Sequence, residues 1–174
     1  MGKRSNFERR PQDKYETPRA AVMPLIDHLY PTTSFAEPCA GEGKLIKHLE
    51  KFGHICLEQS DIEVDARNIR KTMASCFITN PPWSRKVMHA IIDNLAGIRP
   101  TWLLMDADWM HTKQSGPYMK YCKKVVSVGR VKWIPGSKNT GKDNCSWYLF
   151  DKRMEIWPYP FDLFIQTKFY GRAE

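Results

Sequence analysis

Two adjacent prolines, Pro81 and Pro82, end the apolar run Ser75-Cys76-Phe77-Ile78-Thr79 and leave the chain around them little conformational choice. Proline fixes φ, lacks a backbone donor and pushes its predecessor out of the helical region, so Asn80 and Pro81 must be extended. The apolar run reads as a buried strand, with Asn80 at its C-terminal end. A stiff extended segment turns backbone carbonyls outward as acceptors. The side-chain carbonyl of Asn80 and the carbonyl of Pro81 make an acceptor pair suited to one group with two hydrogens, such as an exocyclic amine. Trp83 adds a flat stacking face. Acceptors beside a stacking surface describe a pocket for a nucleobase amino group; the competing reading is a Pro-Pro loop with a core tryptophan.

The segments on either side supply the rest of such a pocket. Residues 34–38 form a short strand, and Cys39-Ala40-Gly41-Glu42-Gly43 is a small-residue turn leading into a helix over 44–52. Glycines at a strand-to-helix turn allow positive φ and let a ligand approach backbone N–H groups. A second strand covers 54–58, and an acidic residue about 20 positions after a glycine turn is where a dinucleotide-type site holds a ribose. Asp61 fits best, with Glu58 and Glu63 as alternatives. A helix over 85–95 and a strand over 101–105 follow. In an open parallel sheet ligands bind beyond the carboxyl ends of strands, so the glycine turn, Asp61 and Asn80 should share one edge.

Upstream, Thr17 and Pro18 read as N-cap and first-turn proline of a helix over 19–30, with Pro24 as a kink. Downstream, a basic helix or turn over 118–124 leads to strands at 125–128 and 130–134, a loop at 135–144, a strand at 145–150 and a last edge strand at 163–169. The spacing Gly136-Ser137-Lys138-Asn139-Thr140-Gly141-Lys142 imitates a phosphate loop. Asp143 stands where a hydroxyl should hold magnesium, and a strand rather than a helix follows, so it is read as a basic hairpin loop.

The 174 residues carry a net charge of +8, unevenly distributed. Between Asp108 and Asp143 there is no acidic residue, while Lys113, Lys120, Lys123, Lys124, Arg130, Lys132, Lys138 and Lys142 all lie there, interleaved with Trp109, Tyr118, Tyr121 and Trp133. A nucleic acid is the partner such a stretch fits, against the alternative of a solvated basic face. Residues 1–14 read as a basic arm preceding a single domain over 15–174. Five scattered cysteines without a CxxC spacing read as reduced core residues, and no metal site is expected. The polar N-terminus and the lack of an 18-residue apolar run point to a soluble, unsecreted, cytoplasmic protein.

With these pieces placed, the chain resembles the S-adenosylmethionine-dependent amino-methyltransferases that act on adenine N6, especially small phage- and prophage-type DNA adenine methyltransferases. The catalytic motif (D/N/S)-P-P-(Y/F/W) is similar to Asn80-Pro81-Pro82-Trp83, the donor-binding turn to Glu37-Pro38-Cys39-Ala40-Gly41-Glu42-Gly43, and the N-terminal donor motif to Tyr15-Glu16-Thr17-Pro18. The resemblance implies a Rossmann-like α/β fold: a mostly parallel central sheet, helices on both faces and an antiparallel C-terminal strand or hairpin. It implies S-adenosylmethionine as cofactor, with Glu37, Pro38, Cys39, Ala40, Gly41 and Gly43 at its methionine part. Asp61 would take the ribose, Tyr15 or Thr17 the far end and Asp65 the adenine. Adenine in DNA is the implied acceptor; RNA, cytosine N4, a protein glutamine, or a catalytically silent relative that binds nucleic acid or a partner protein are the alternatives. No segment is long enough for a separate target-recognition domain, so specificity falls to the arm and loops, or to a partner subunit.

Overall fold

The computed structural model describes residues 15–134, 136 and 140–153; the expected arm over 1–14, Lys138 and the expected strand over 163–169 lie outside the described residues. Six strands form one sheet: β1 (Ser34–Glu37), β2 (Ile55–Gln59), β3 (Cys76–Thr79), β4 (Thr101–Asp106), β5 (Cys122–Arg130) and β6 (Asn144–Phe150). Their order is β2-β1-β3-β4-β6-β5. The first four are parallel, and β6 runs antiparallel to both β4 and β5.

Burial on both faces explains why the central strands are continuous apolar runs. Along β3 and β4, Phe77 and Leu103 face one core, whereas Ile78, Trp102 and Leu104 face the other; Tyr148 and Trp147 divide the same way on β6. Helix α3 (Arg85–Ile98) fills the first core with Met88, Ile91, Ile92 and Leu95. Helices α1 (Arg19–Ile26) and α2 (Lys44–Glu50) fill the second with Val22, Leu25, Ile46 and Leu49. The Trp147 indole crosses that core and donates to the Ala21 carbonyl at 2.7 Å.

Several expectations are corrected in detail. The first helix ends at Ile26 rather than residue 30, and Pro18, not Thr17, is its N-cap, with no side-chain capping bond. Thr17 is 3% exposed and is turned to another use. The strand expected at 125–128 is part of a longer one, β5 (Cys122–Arg130), bent by two register shifts, and the second strand expected at 130–134 does not form: residues 131–134 lie outside any strand. The helix or turn expected over 118–124 is the single turn α4 (Gly116–Met119), and 122–124 already belong to β5.

One departure shapes the site. A doubly wound sheet of order 3-2-1-4-5-6 has a further strand outside its second one. Here β2 is the edge, and residues 61–75 return to the sheet with one 3₁₀ turn, Ala66–Asn68, packed against α3. That short return forms a wall of the cavity at the sheet's carboxyl edge.

Candidate active site

The glycine turn after β1 is built around a residue from outside it. Gly41 and Gly43 have φ of 54° and 75°, the left-handed region that favours glycine. Glu16 lies over them: its Oε1 accepts from the Glu42 amide at 2.8 Å and its Oε2 from the Lys44 amide at 3.4 Å. A Cβ on Gly41 would stand 2.5 Å from Glu16 Oε1. The turn is tied to β2 as well, with the Ala40 amide donating to the Ser60 carbonyl at 2.9 Å and the Ser60 amide to Glu37 at 3.0 Å.

This turn borders a cavity of about 530 Å³, lined by Tyr15, Glu16 and Thr17, by Glu37 through Gly41, by Asp61, Ile62, Val64, Asp65, Ala66 and Arg67, and by Asn80, Pro82, Ser84, Val87 and Ile91 together with Leu45. Of the residues expected at a cofactor, Tyr15, Thr17, Glu37, Pro38, Cys39, Ala40, Gly41, Asp61 and Asp65 are brought together there. Gly43 is set back as the N-cap of α2. Of the three acidic candidates after β2, only Asp61 faces the cavity. Glu63 accepts from the Asp61 amide at 3.2 Å, and Glu58 accepts from the Met73 amide at 2.7 Å and lines a neighbouring cavity. Asp65 caps the following turn and pairs with Arg67 at 2.6 Å, which holds its carboxyl below the usual range.

Glu37 is the least ordinary group in the cavity wall. It is 1% exposed, and neither carboxyl oxygen has a hydrogen-bond partner of good geometry. Burial raises its pKa to about 8, against the weaker opposing pull of the Thr79 hydroxyl and the Asn80 and Cys39 amides. Burial, reinforced by Glu37, also pushes the Cys39 thiol up to about 12, so this cysteine is no thiolate nucleophile.

Asn80 stands at the cavity lip as the end of β3 requires. Its Nδ2 donates to the Tyr15 carbonyl at 3.3 Å, which uses one of its two N–H donors, orients the amide and leaves Oδ1 as the acceptor. Pro81 is buried, and Pro82 lines the cavity. Trp83 is placed differently from the sequence expectation. It is half-buried against the α1/α2 core, outside the cavity lining; its Nε1 donates to the Leu104 carbonyl at 3.1 Å, and its ring meets Trp133 edge-on at 5.9 Å. Trp133 also lies 6.3 Å from the Tyr15 ring, so three aromatic rings run from the cavity to the β5–β6 connection.

The basic residues separate into two groups. Arg130 pairs with Asn144, and Cys145 with Asp106, so Arg130, Lys132 and Lys142 lie at the same sheet end as Asn80. All three are exposed. Lys113 follows the turn after β4, beside Gln114, which accepts from Arg85 at the start of α3. Cys122 pairs with Phe150 and Phe150 with Thr101, which puts Lys123 and Lys124 at the opposite end, with Lys120 over the Tyr121 ring at 4.6 Å.

Sequence reasoning missed Glu16, Ile62, Val64, Arg67 and Val87. Glu16 had one signal, an acidic side chain inside a segment otherwise read as donor-binding; the others are spread over 26 residues and become neighbours only through the β2–β3 return. Among the described residues no His, Cys, Asp and Glu cluster could hold a metal, and no helix is long and apolar enough to cross a membrane.

No known protein family is matched by the sequence, and no curated protein matches it. Solved structures do match. A protein of Pyrococcus horikoshii, provisionally described as an RNA methyltransferase, superposes with a TM-score of 0.57 at 14% identity, over 86% of this chain and 93% of that one. The 23S rRNA methyltransferase ErmE gives 0.51 at 14%, over 79% and 69%. The methyltransferase subunit of a type I restriction-modification system from Streptococcus thermophilus gives 0.53 at 10%, over 83% of this chain and 47% of the subunit. At such identities the likeness concerns the backbone, and with the strand order and the mixed sheet it shows that this chain has the Rossmann-like methyltransferase fold.

Proposed function

We propose that the chain is an S-adenosylmethionine-dependent methyltransferase acting on the N6 amino group of adenine in DNA. The observation that carries this reading is the position of Asn80: its amide is oriented by a bond from its nitrogen to Tyr15, and the residue stands at the lip of a cavity walled by Glu16, Glu37, Asp61 and Asp65.

The cavity's chemistry fits S-adenosylmethionine. Four carboxyl groups and one guanidinium, itself paired with Asp65, favour a ligand with positive charge, and the unpartnered Glu37 oxygens need a donor. Ile62, Val64 and Val87 give apolar surface for a flat base, and Asp61 an acceptor for ribose hydroxyls. When bound, this cofactor supplies an electrophilic methyl on a sulfonium. No metal has a part in the reading.

For the acceptor, the chain's own residues do three things. Asn80 Oδ1 and the Pro81 carbonyl take the two N6 hydrogens, orienting the nitrogen lone pair and stabilising the positive charge that grows there. Tyr15, which lines the cavity, and Trp133 beside it provide aromatic surface at the same end. Stacking is worth about 1–3 kcal/mol per base, against a flipping cost of a few kcal/mol. With Cys39 protonated no thiolate faces the cavity, and in this reading transfer is a direct displacement in which alignment supplies about 7–11 kcal/mol. The N6 proton, acidified once the methyl is on, leaves through the acceptors to water.

The resemblance of the catalytic tetrapeptide and glycine turn favours DNA adenine; the basic rim formed by Arg130, Lys132 and Lys142 favours a polyanion over a protein acceptor. The test is labelled methyl transfer to duplex DNA, single-stranded DNA and RNA in parallel, with nucleoside analysis of the product. N6-methyldeoxyadenosine is the expected product. Labelled N6-methyladenosine from RNA alone would move the reading to an RNA enzyme, and transfer to none would leave a silent relative.

A further inference from the structure

The segment between β4 and α4 stands next to Asn80 and lies outside the donor cavity. Thr79, the residue before Asn80, is level with Leu103 on β4, and β4 continues three residues further to Asp106. That is about 10 Å of extra strand, so the turns that follow rise beside the acceptor end of the site. The segment consists of two 3₁₀ turns, Ala107–His111 and Lys113–Ser115, and it is held from beneath. The buried Trp109 indole donates to His89 Nε2 on α3 at 3.0 Å and meets the Tyr148 ring edge-on at 5.4 Å. The Tyr148 hydroxyl donates to the Ala107 carbonyl at 2.9 Å, and the buried Ser115 hydroxyl to the Met110 carbonyl at 2.9 Å. A loop fixed this firmly, with Asp108, His111, Lys113 and Gln114 exposed on it, is suited to recognition.

One side chain beside this surface is set in a single orientation. Arg85, exposed at the start of α3, donates through Nη1 to Gln114 Oε1. A guanidinium has five N–H donors in a planar fork, so this bond fixes the plane and leaves the other donors for a partner. A phosphate contact needs a positive charge, whereas a bidentate contact to guanine O6 and N7 needs the plane as well. Asp106 and Asp108 close by make the surface one of mixed sign, a poor track for phosphates and a fitting one for base edges. Trp109 packs in the α3 core and Val131 and Trp133 in the α1/α2 core, so this surface and the basic rim flank the site from opposite faces of the sheet. We infer that Arg85, set by Gln114, reads a guanine flanking the target adenine, with the phosphate contacts left to Arg130, Lys132 and Lys142. The inference rests on the adenine-methyltransferase reading above and gives it a sequence determinant.

Methyl transfer by the full chain to a pool of duplexes, with random base pairs flanking a fixed adenine and the methylated positions read by sequencing, tests this. The wild type should prefer guanine at one flanking position by about 5- to 150-fold in kcat/KM, the range of a good bidentate contact. Arg85→Ala and Arg85→Lys should both bring that preference below about threefold, since an ammonium has no fork. Preferences at other positions and the slope of log affinity against log salt should stay as they are. Gln114 is a positioning residue: Gln114→Ala should lose part of the preference, and Gln114→Glu, which keeps an acceptor for the guanidinium, should retain it. A salt slope reduced by about 0.9 in Arg85→Ala, with the guanine preference intact, overturns the inference and makes Arg85 a phosphate clamp. A wild type that methylates adenine without a guanine preference overturns it too and leaves the transfer reading standing. If no duplex is methylated, the transfer reading falls and this inference with it.

Discussion

At the scale of single residues the site separates a group that aligns, Asn80, from a group that titrates, Glu37. Asn80 aligns: its amide is fixed by a backbone carbonyl, and the cavity wall does not depend on its side chain for any other bond. Asn80→Ala should therefore lower kcat by about 10²–10³, the loss typical of one oriented polar group in a transition state, while S-adenosylhomocysteine affinity changes less than about threefold. Equal losses in both would make Asn80 a structural residue. Glu37 is a buried carboxyl that burial keeps neutral, and it makes a prediction about the free protein. Its pKa in the folded chain, about 8, is raised from an ordinary 4.5. The stability it contributes is complete below about pH 4.5 and is lost as pH rises toward 8. Urea unfolding of wild type and Glu37→Gln should show the variant gaining relative stability between pH 5 and 8, by a few kcal/mol at most. A difference that does not change with pH would mean that Glu37 is ionised throughout. The lowered His48, His54 and His89 act in an overlapping range, but they are common to both proteins and cancel in the difference.

At the scale of elements, the glycine turn and the N-terminal segment are one unit, because Glu16 bonds amides on both sides of Gly43. Gly41→Ala faces two penalties, a φ of 54° and a Cβ 2.5 Å from Glu16 Oε1. It should cost about 1–3 kcal/mol of stability and most donor affinity. Gly41→Ala combined with Glu16→Ala relieves the clash but not the φ, so the double variant should lose less stability than the two single losses added. Strict additivity in thermal or urea unfolding would show that Glu16 does not sit over the turn in solution. Most elements were legible in the sequence because central parallel strands must be apolar on both faces, and the Gly-rich turn and the prolines mark where they stop. The extent of β5 was not, since where it starts, shifts register and stops at Arg130 depends on pairing with β6. Nor was the first helix's cap: Thr17 has the chemistry of an N-cap, yet it lines the cavity and leaves Pro18 in that position. The setting of Trp83 was beyond reach for the same reason, being decided by Leu104 and Trp133, 21 and 50 residues away.

At the scale of the whole molecule, register decides what composition could not. The sequence shows eight basic residues in one acid-free stretch, which reads as one surface. β5 runs through that stretch from one end of the sheet to the other, and β4, beside the same β6, spans about 17 Å from Thr101 to Asp106. Arg130, Lys132 and Lys142 end up at the edge that carries Asn80, and Lys123 and Lys124 at the far one. A duplex whose adenine reaches Asn80 meets the first group's phosphates, while the second group faces away from that edge. Replacing Arg130, Lys132 and Lys142 with Ala should reduce the slope of log affinity against log salt by roughly 2 to 3, since each phosphate contact contributes about 0.9, and should raise KM for DNA. Lys123→Ala with Lys124→Ala should leave slope and KM nearly unchanged. Filter binding or anisotropy across a salt series reads both variants directly. A slope that falls only in the Lys123 and Lys124 variant would place the nucleic acid on the far edge, out of reach of Asn80, and would separate binding from the proposed transfer site altogether.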